Sequence, residues 1–137
     1  MITHYAANKV LQALCGKAQN LTLGQTAYVA LSTTTPTAAG GNVTEPVGNG
    51  YARVMLGNYN QSYTQKMGTP SGGAISNEEI VYYPEATGSW GTITHFCIYD
   101  APTNGNLLAF GALTDPITPT ANTIPIIRVG ELDISLS

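Results

Sequence analysis

The chain has 137 residues, of which 43% are hydrophobic and only 9% charged, so it is long enough to bury a core of its own as one domain. Its polarity comes from Thr, Ser, Asn, Gln and Gly instead of the roughly 25% of charged residues usual in soluble domains. Five Lys+Arg against eight Asp+Glu leave no basic patch to neutralise phosphates, which argues against a nucleic-acid partner. No apolar run approaches the roughly 20 residues of a membrane span. The first 17 residues lack the basic and continuous apolar regions of a secretory signal, so we expect synthesis in a cytoplasm. A surface with so little charge resists self-association poorly, and an assembled state is expected.

From residue 3 to 15, Ala7, Val10, Leu11 and Leu14 recur at helical spacing, continued by Ala18. Thr3 is placed as N-cap and Gly16 just beyond the C-terminus, which predicts one short amphipathic helix. Its apolar stripe either seals one end of the fold or docks on a neighbour. Beyond it, β-branched and aromatic segments between Gly, Pro, Asn and Thr-rich turns predict strands over 26–32, 51–56, 79–83, 92–99, 107–113, 123–129 and 131–136. Segments 26–32 and 93–99 carry apolar groups on both faces and read as central strands. The last strand alternates Leu132, Ile134 and Leu136 with Asp133 and Ser135, as a half-buried strand does. These elements predict an all-β protein: a single domain over 1–137, with a helical segment in 1–20 and an antiparallel, jelly-roll-like β-sandwich in 21–137. The connections 33–50 and 58–77 exceed the usual length of about 4 to 6 residues and are expected to carry contacts.

The residue types for nucleophilic catalysis, Ser89, His95 and Asp100, fall within twelve positions, but His95 lies inside a strand and no nucleophile elbow exposes Ser89. His4 and His95 are distant and no metal-ligand spacing occurs. Glu78 and Glu79 read as a solvated strand edge, and the Gly40-Gly41 and Gly48-Asn49-Gly50 runs as turns, not phosphate loops. Cys15 and Cys97 belong to no Cys-x-x-Cys pair and read as isolated thiols. No enzyme, cofactor or metal is expected. Tyr59, Tyr63, Tyr82, Tyr83 and Trp90 could stack on sugar rings, although Tyr and Trp are also favoured strand residues and interface anchors.

Several runs occur in a telling order: Tyr28-Val29-Ala30-Leu31-Ser32-Thr33 with Thr35-Pro36-Thr37, then Gly50-Tyr51-Ala52-Arg53, then Pro84-Glu85-Ala86-Thr87. They continue as Trp90-Gly91-Thr92-Ile93-Thr94-His95-Phe96-Cys97-Ile98-Tyr99-Asp100-Ala101, Gly105-Asn106-Leu107-Leu108 and Gly111-Ala112-Leu113-Thr114. With the N-terminal helix, this order resembles small bacteriophage virion proteins of the tail-fibre-like and head-decoration type. The chain departs from that pattern at Cys97, where a small residue such as Gly is usual, and in a longer 58–73 stretch.

The resemblance implies a non-enzymatic structural protein of a virion: a capsid decoration protein, or a head or tail fibre-base module, that binds major capsid or tail proteins and self-associates as a homotrimer. The alternative is a fibre-associated carbohydrate-binding module that meets a host surface glycan. Interface candidates are Tyr5, Val10, Leu11, Leu14, Tyr59, Tyr63 and Trp90. Gly50, Tyr51, Arg53, Gly91, His95, Tyr99 and Asp100 are read as scaffold, with Arg53 expected to pair with Asp100 or Glu85.

Overall fold

In the computed structural model the described residues are 1–18, 23, 26–61 and 65–136. They hold α1 (His4–Leu14), β1 (Thr26–Ser32), β2 (Val54–Asn58), β3 (Ala74–Ser76), β4 (Val81–Tyr82), β5 (Ile93–Tyr99), β6 (Leu107–Ile117), β7 (Ile126–Ile127) and β8 (Asp133–Ser135). β1 and β5 are apolar on both faces because they occupy the middle of a four-stranded antiparallel sheet, in the order β2-β1-β5-β6. Val29 and Leu31 of β1, Phe96 and Ile98 of β5, and Ala109 and Leu113 of β6 face one way into the main core. Ala30, Cys97, Tyr99, Leu107 and Phe110 face the other way into a smaller cluster.

Each face has its own cover. Two antiparallel ribbons, β3-β8 and β4-β7, form the second layer and contribute Val81, Ile127 and Leu132 to the main core. Buried Asn77 ties the ribbons together. Its Nδ2 donates to Glu79 O at 2.8 Å and Arg128 O at 3.0 Å, while its Oδ1 accepts the Leu132 N–H at 3.0 Å; a buried amide is tolerated only when its partners are supplied in this way. The smaller cluster is covered by the 33–50 connection, from which Val43 packs against it. The antiparallel sandwich with one N-terminal helix is thus the architecture read from the sequence, with a second layer built from two short ribbons.

Local differences have physical causes. β2 begins at Val54, not at residue 51, because the Leu31 N–H is taken by the Tyr51 hydroxyl at 3.1 Å and not by a ladder carbonyl. β3 falls inside the stretch read as a long loop; its three residues take their ladder from β8, near the far end of the chain. β6 runs on through Pro116 to Ile117, which an edge strand permits because one side of it needs no donor. The remaining edge of β6 is partly occupied by the N-terminus. Thr3 N–H donates to Leu108 O at 3.0 Å, Phe110 N–H donates to Met1 O at 2.9 Å, and Ile2 bridges Ala109, which removes part of an edge that could otherwise pair with another chain.

Candidate interaction surface

α1 starts where the sequence predicts. Thr3 caps it, accepting the Ala6 N–H at 3.4 Å while its own hydroxyl reaches Leu107 O at 2.6 Å. The cap therefore serves both the helix and the sheet edge. Gly16, with φ of 74°, lies just past the end. Of the predicted stripe, Ala7 and Val10 are half-buried, while Leu11 and Leu14 face away from the fold. Ala6 is the buried residue of α1, whereas Leu11 is 54% and Leu14 77% exposed. Beside that ridge lies a groove of about 430 Å3 lined by Met1, Ile2, Ala7, Val10, Leu11, Ser135 and Leu136, with Met1 and Leu136 each 65% exposed. Tyr5 is two and a half turns from Leu14 and so lies on the opposite side of the helix, where Lys9 Nζ sits 5.7 Å from its ring centre.

Tyr59 stands 79% exposed at the surface; Tyr63 lies outside the described residues. Trp90, read from the sequence as an interface candidate, is a core residue instead, 4% exposed. Its ring meets Tyr51 edge-on at 5.3 Å and Tyr83 at 6.1 Å, and its Nε1 donates to Asn49 O at 2.8 Å. This satisfies the one polar group of a large buried ring. Gly91 follows with φ of 81°, turning the chain into β5. Tyr83 is buried with it and donates to Val29 O at 3.0 Å, so among the described aromatic residues considered for sugar stacking only Tyr59 and Tyr82 are exposed.

Arg53 pairs with Glu45, and not with Asp100 or Glu85. Nη2 meets Oε1 at 2.6 Å and Nε meets Oε2 at 3.1 Å, while Nη1 donates to Ala101 O and Asn104 O at 2.9 and 2.8 Å. The guanidinium also lies 3.8 Å over the Tyr99 ring, and the Tyr51 hydroxyl donates to Glu45 Oε2 at 2.6 Å. The 33–50 connection folds back far enough to deliver Glu45 to this point. Asp100 is engaged elsewhere, accepting the Asn106 N–H at 2.8 Å and its Nδ2 at 2.9 Å across the 100–106 connection. Arg53 is therefore a clasp between two loops. Gly50 holds φ of 83° with a space in which a Cβ would stand 2.6 Å from Glu85 O, so no side chain fits there.

The residues considered for catalysis do not converge by any hydrogen bond. His95 Nδ1 is 2.8 Å from Thr94 Oγ1, and the Ser89 hydroxyl accepts the Gly91 N–H at 3.2 Å. Burial lowers the His95 pKa and pushes the Cys97 thiol up to about 12, whereas Cys15 is exposed; both cysteines are free. Among the described residues no group of three or more His, Cys, Asp or Glu is placed to hold a metal ion, and no helix is long and apolar enough to cross a membrane.

A cleft missed by the sequence reading lies between the end of β6 and the β7 segment. It measures about 310 Å3 and brings Asp115, Arg128 and Glu131 together over Ile117, Pro119, Pro125 and Ile126. Nothing in the sequence pairs these segments.

A search of curated proteins finds no match. A protein-family model described as podophage GP4 fiber I protein gp80 matches residues 1–135, nearly the whole chain, in agreement with the ordered motifs from Tyr28 to Thr114. The chain belongs to this family of phage fibre proteins, and so to the structural components of a virion.

Proposed function

We infer that the chain is a non-enzymatic module of a phage fibre assembly that joins its neighbours through the apolar face of α1. The observation that carries this reading is the exposure of Leu11 and Leu14 on a helix whose cap is anchored to the sheet. In a monomer, that face would leave a contiguous apolar patch in water, which soluble proteins avoid unless it is an interface. A ridge beside a groove suits a ring in which the ridge of each copy enters the groove of the next; a homotrimer is the closed ring we assign. The family match supports placement on a fibre over placement as a capsid decoration protein. The engaged polar atoms of Ser89, His95 and Asp100 support a role without catalysis.

Two measurements test this. Light scattering on the purified protein should give three times the 14.3 kDa chain mass, and a short bis-maleimide should cross-link copies through Cys15, the exposed thiol next to Leu14. Counting copies in purified particles separates the placements: a number matching the fibres supports the reading, and one matching the capsid lattice assigns decoration instead.

A further inference from the structure

We propose that Asn104 is a site of self-modification, in which the Gly105 backbone nitrogen displaces the Asn104 side-chain amide and Arg53 stabilises the reacting peptide through its oxygen. Asn-Gly is the dipeptide most open to this reaction, because glycine has no side chain to hinder its own nitrogen. It occurs twice, at Asn49-Gly50 and Asn104-Gly105. Both pairs hold positive φ, 54° and 83° in the first and 54° and 79° in the second, a region that Asn and Gly enter more readily than other residues. At position 105 space demands glycine as well, since a Cβ there would stand 2.6 Å from Asp100 Oδ1 and 2.8 Å from Ala101 Cβ. The fold therefore keeps a reactive pair in both turns, and only their surroundings tell them apart.

Asn49 is locked. Its Nδ2 donates to Ser89 O at 3.0 Å, and its O accepts the Trp90 Nε1–H at 2.8 Å and the Thr87 N–H at 3.0 Å. Its side chain fills the space beside Gly88, where a Cβ would meet Asn49 Oδ1 at 2.7 Å. Asn104 is the opposite case. It and Gly105 are exposed, and neither the Asn104 side-chain amide nor the Gly105 N–H has a hydrogen-bond partner among the described residues. The Asn104 carbonyl alone is held, accepting from Arg53 Nη1 at 2.8 Å.

That one contact falls on the atom where charge develops. When the Gly105 N–H gives its proton to water or hydroxide, the negative charge spreads onto Asn104 O, and a guanidinium already aimed at that oxygen stabilises it. The nitrogen then bonds to Asn104 Cγ, the Cγ–Nδ2 bond breaks, and Nδ2 leaves as ammonia with a proton taken from water; a cyclic imide remains. Water opens the imide in one of two ways. Attack at Cγ gives aspartate at position 104, and attack at the main-chain carbonyl carbon gives isoaspartate, whose chain runs through Cβ and Cγ. Arg53 polarises the main-chain carbonyl, so isoaspartate is the favoured product. Its freed α-carboxylate forms on the oxygen that Arg53 holds, in competition with Glu45, and adds one negative charge to a chain of formal net charge −3.

The test is peptide mapping by mass spectrometry of the full chain after storage in neutral and in mildly alkaline buffer, with isoaspartate identified by isoaspartyl methyltransferase. Asn104 should convert, faster at the higher pH, while Asn49 stays intact. In urea the two should convert at similar rates, because the difference between them lies in the fold. Arg53→Ala should slow Asn104 by roughly tenfold, the worth of a hydrogen bond from a charged donor, and lower the isoaspartate share. Asn49 in the same sample reports whether that variant is folded. Where it is not, Arg53→Lys, which cannot serve Glu45, Ala101 and Asn104 together, takes its place, with slowing again expected. An unconverted Asn104, or equal rates at Asn49 and Asn104 in folded protein, would overturn the site. A rate at Asn104 unchanged or raised in the folded variant would overturn the role of Arg53.

Discussion

Phe96 lies flat across Gly111, its partner in the β5-β6 ladder: a Cβ on residue 111 would stand 2.7 Å from Phe96 Cζ and 2.8 Å from Cε1. Phe96 is fully buried between the sheet and the second layer, so its ring has nowhere to move. Gly111→Ala should destabilise the fold by about 1–3 kcal/mol, the usual effect of overpacking a closed core. Urea unfolding should show a lower midpoint with an unchanged slope; an unchanged midpoint would mean that the ring can shift after all.

The Arg53–Glu45 clasp predicts an asymmetry between two substitutions. Arg53→Ala removes every contact of the guanidinium and leaves Glu45 with only the Tyr51 hydroxyl, which should lower stability by about 1–3 kcal/mol, the range for losing hydrogen bonds between charged groups where the carboxylate left behind is still reached by water. Arg53→Lys keeps the charge but cannot serve Glu45, Ala101 and Asn104 together, because an ammonium lacks the planar fork. Thermal unfolding should rank wild type above Arg53→Lys and Arg53→Lys above Arg53→Ala. Equal melting of the lysine variant and wild type would reduce the clasp to a simple charge contact.

The buried thiol and phenols predict a loss of stability in alkali. Burial raises the pKa of Cys97 to about 12 and raises those of Tyr51 and Tyr83 as well. In the unfolded chain these groups ionise near their ordinary values, so the folded state holds their protons longer. The stability they contribute is fully present below about pH 9 and falls as the pH rises toward the folded values, by about 1.4 kcal/mol per unit for each group whose unfolded form is ionised and whose folded form is not. Cys97→Ala should make the fall between pH 9 and 12 shallower. In native protein at pH 8, a thiol reagent should modify Cys15 and spare Cys97 until the chain unfolds; two equally fast thiols would contradict the burial.

How much of this could be read from the residues depends on whether the cause is local. β1 and β5 announce themselves because central strands need apolar groups on both faces, and Thr3 with Gly16 brackets α1 because caps are local chemistry. β3 is three ordinary residues whose identity as a strand depends on β8, some 60 positions away, and no periodicity can show that. Trp90 is ambiguous in the sequence because a large aromatic ring is equally at home in a core and in an interface; its tie to Asn49 and its contacts with Tyr51 and Tyr83 decide the matter. Glu45 escaped as the partner of Arg53 because it sits in a loop whose path no pattern specifies. Asp115 and Arg128 escaped because the cleft exists only once β6 and the 128–131 turn are fastened by Glu131.

α1 separates folding from assembly by position along the helix. At its start, Thr3→Ala removes the cap and the bond to Leu107 O, and should lower the stability of the chain by about 0.5–2 kcal/mol. At its far end, Leu11→Ser/Leu14→Ser alters side chains that are mostly in water in the isolated chain, so the stability of a dissociated monomer should change by only about 0.5 kcal/mol per site, as at other surface positions. The association should respond in the opposite sense. The serine variant should elute as a monomer, lose the Cys15 cross-link and fail to enter particles, while Thr3→Ala, where it folds, should still assemble. Urea unfolding of dilute monomer set beside sedimentation at high concentration checks both halves at once. If the serine variant unfolds as readily as a core variant, α1 seals the fold; if it assembles normally, another surface joins the copies.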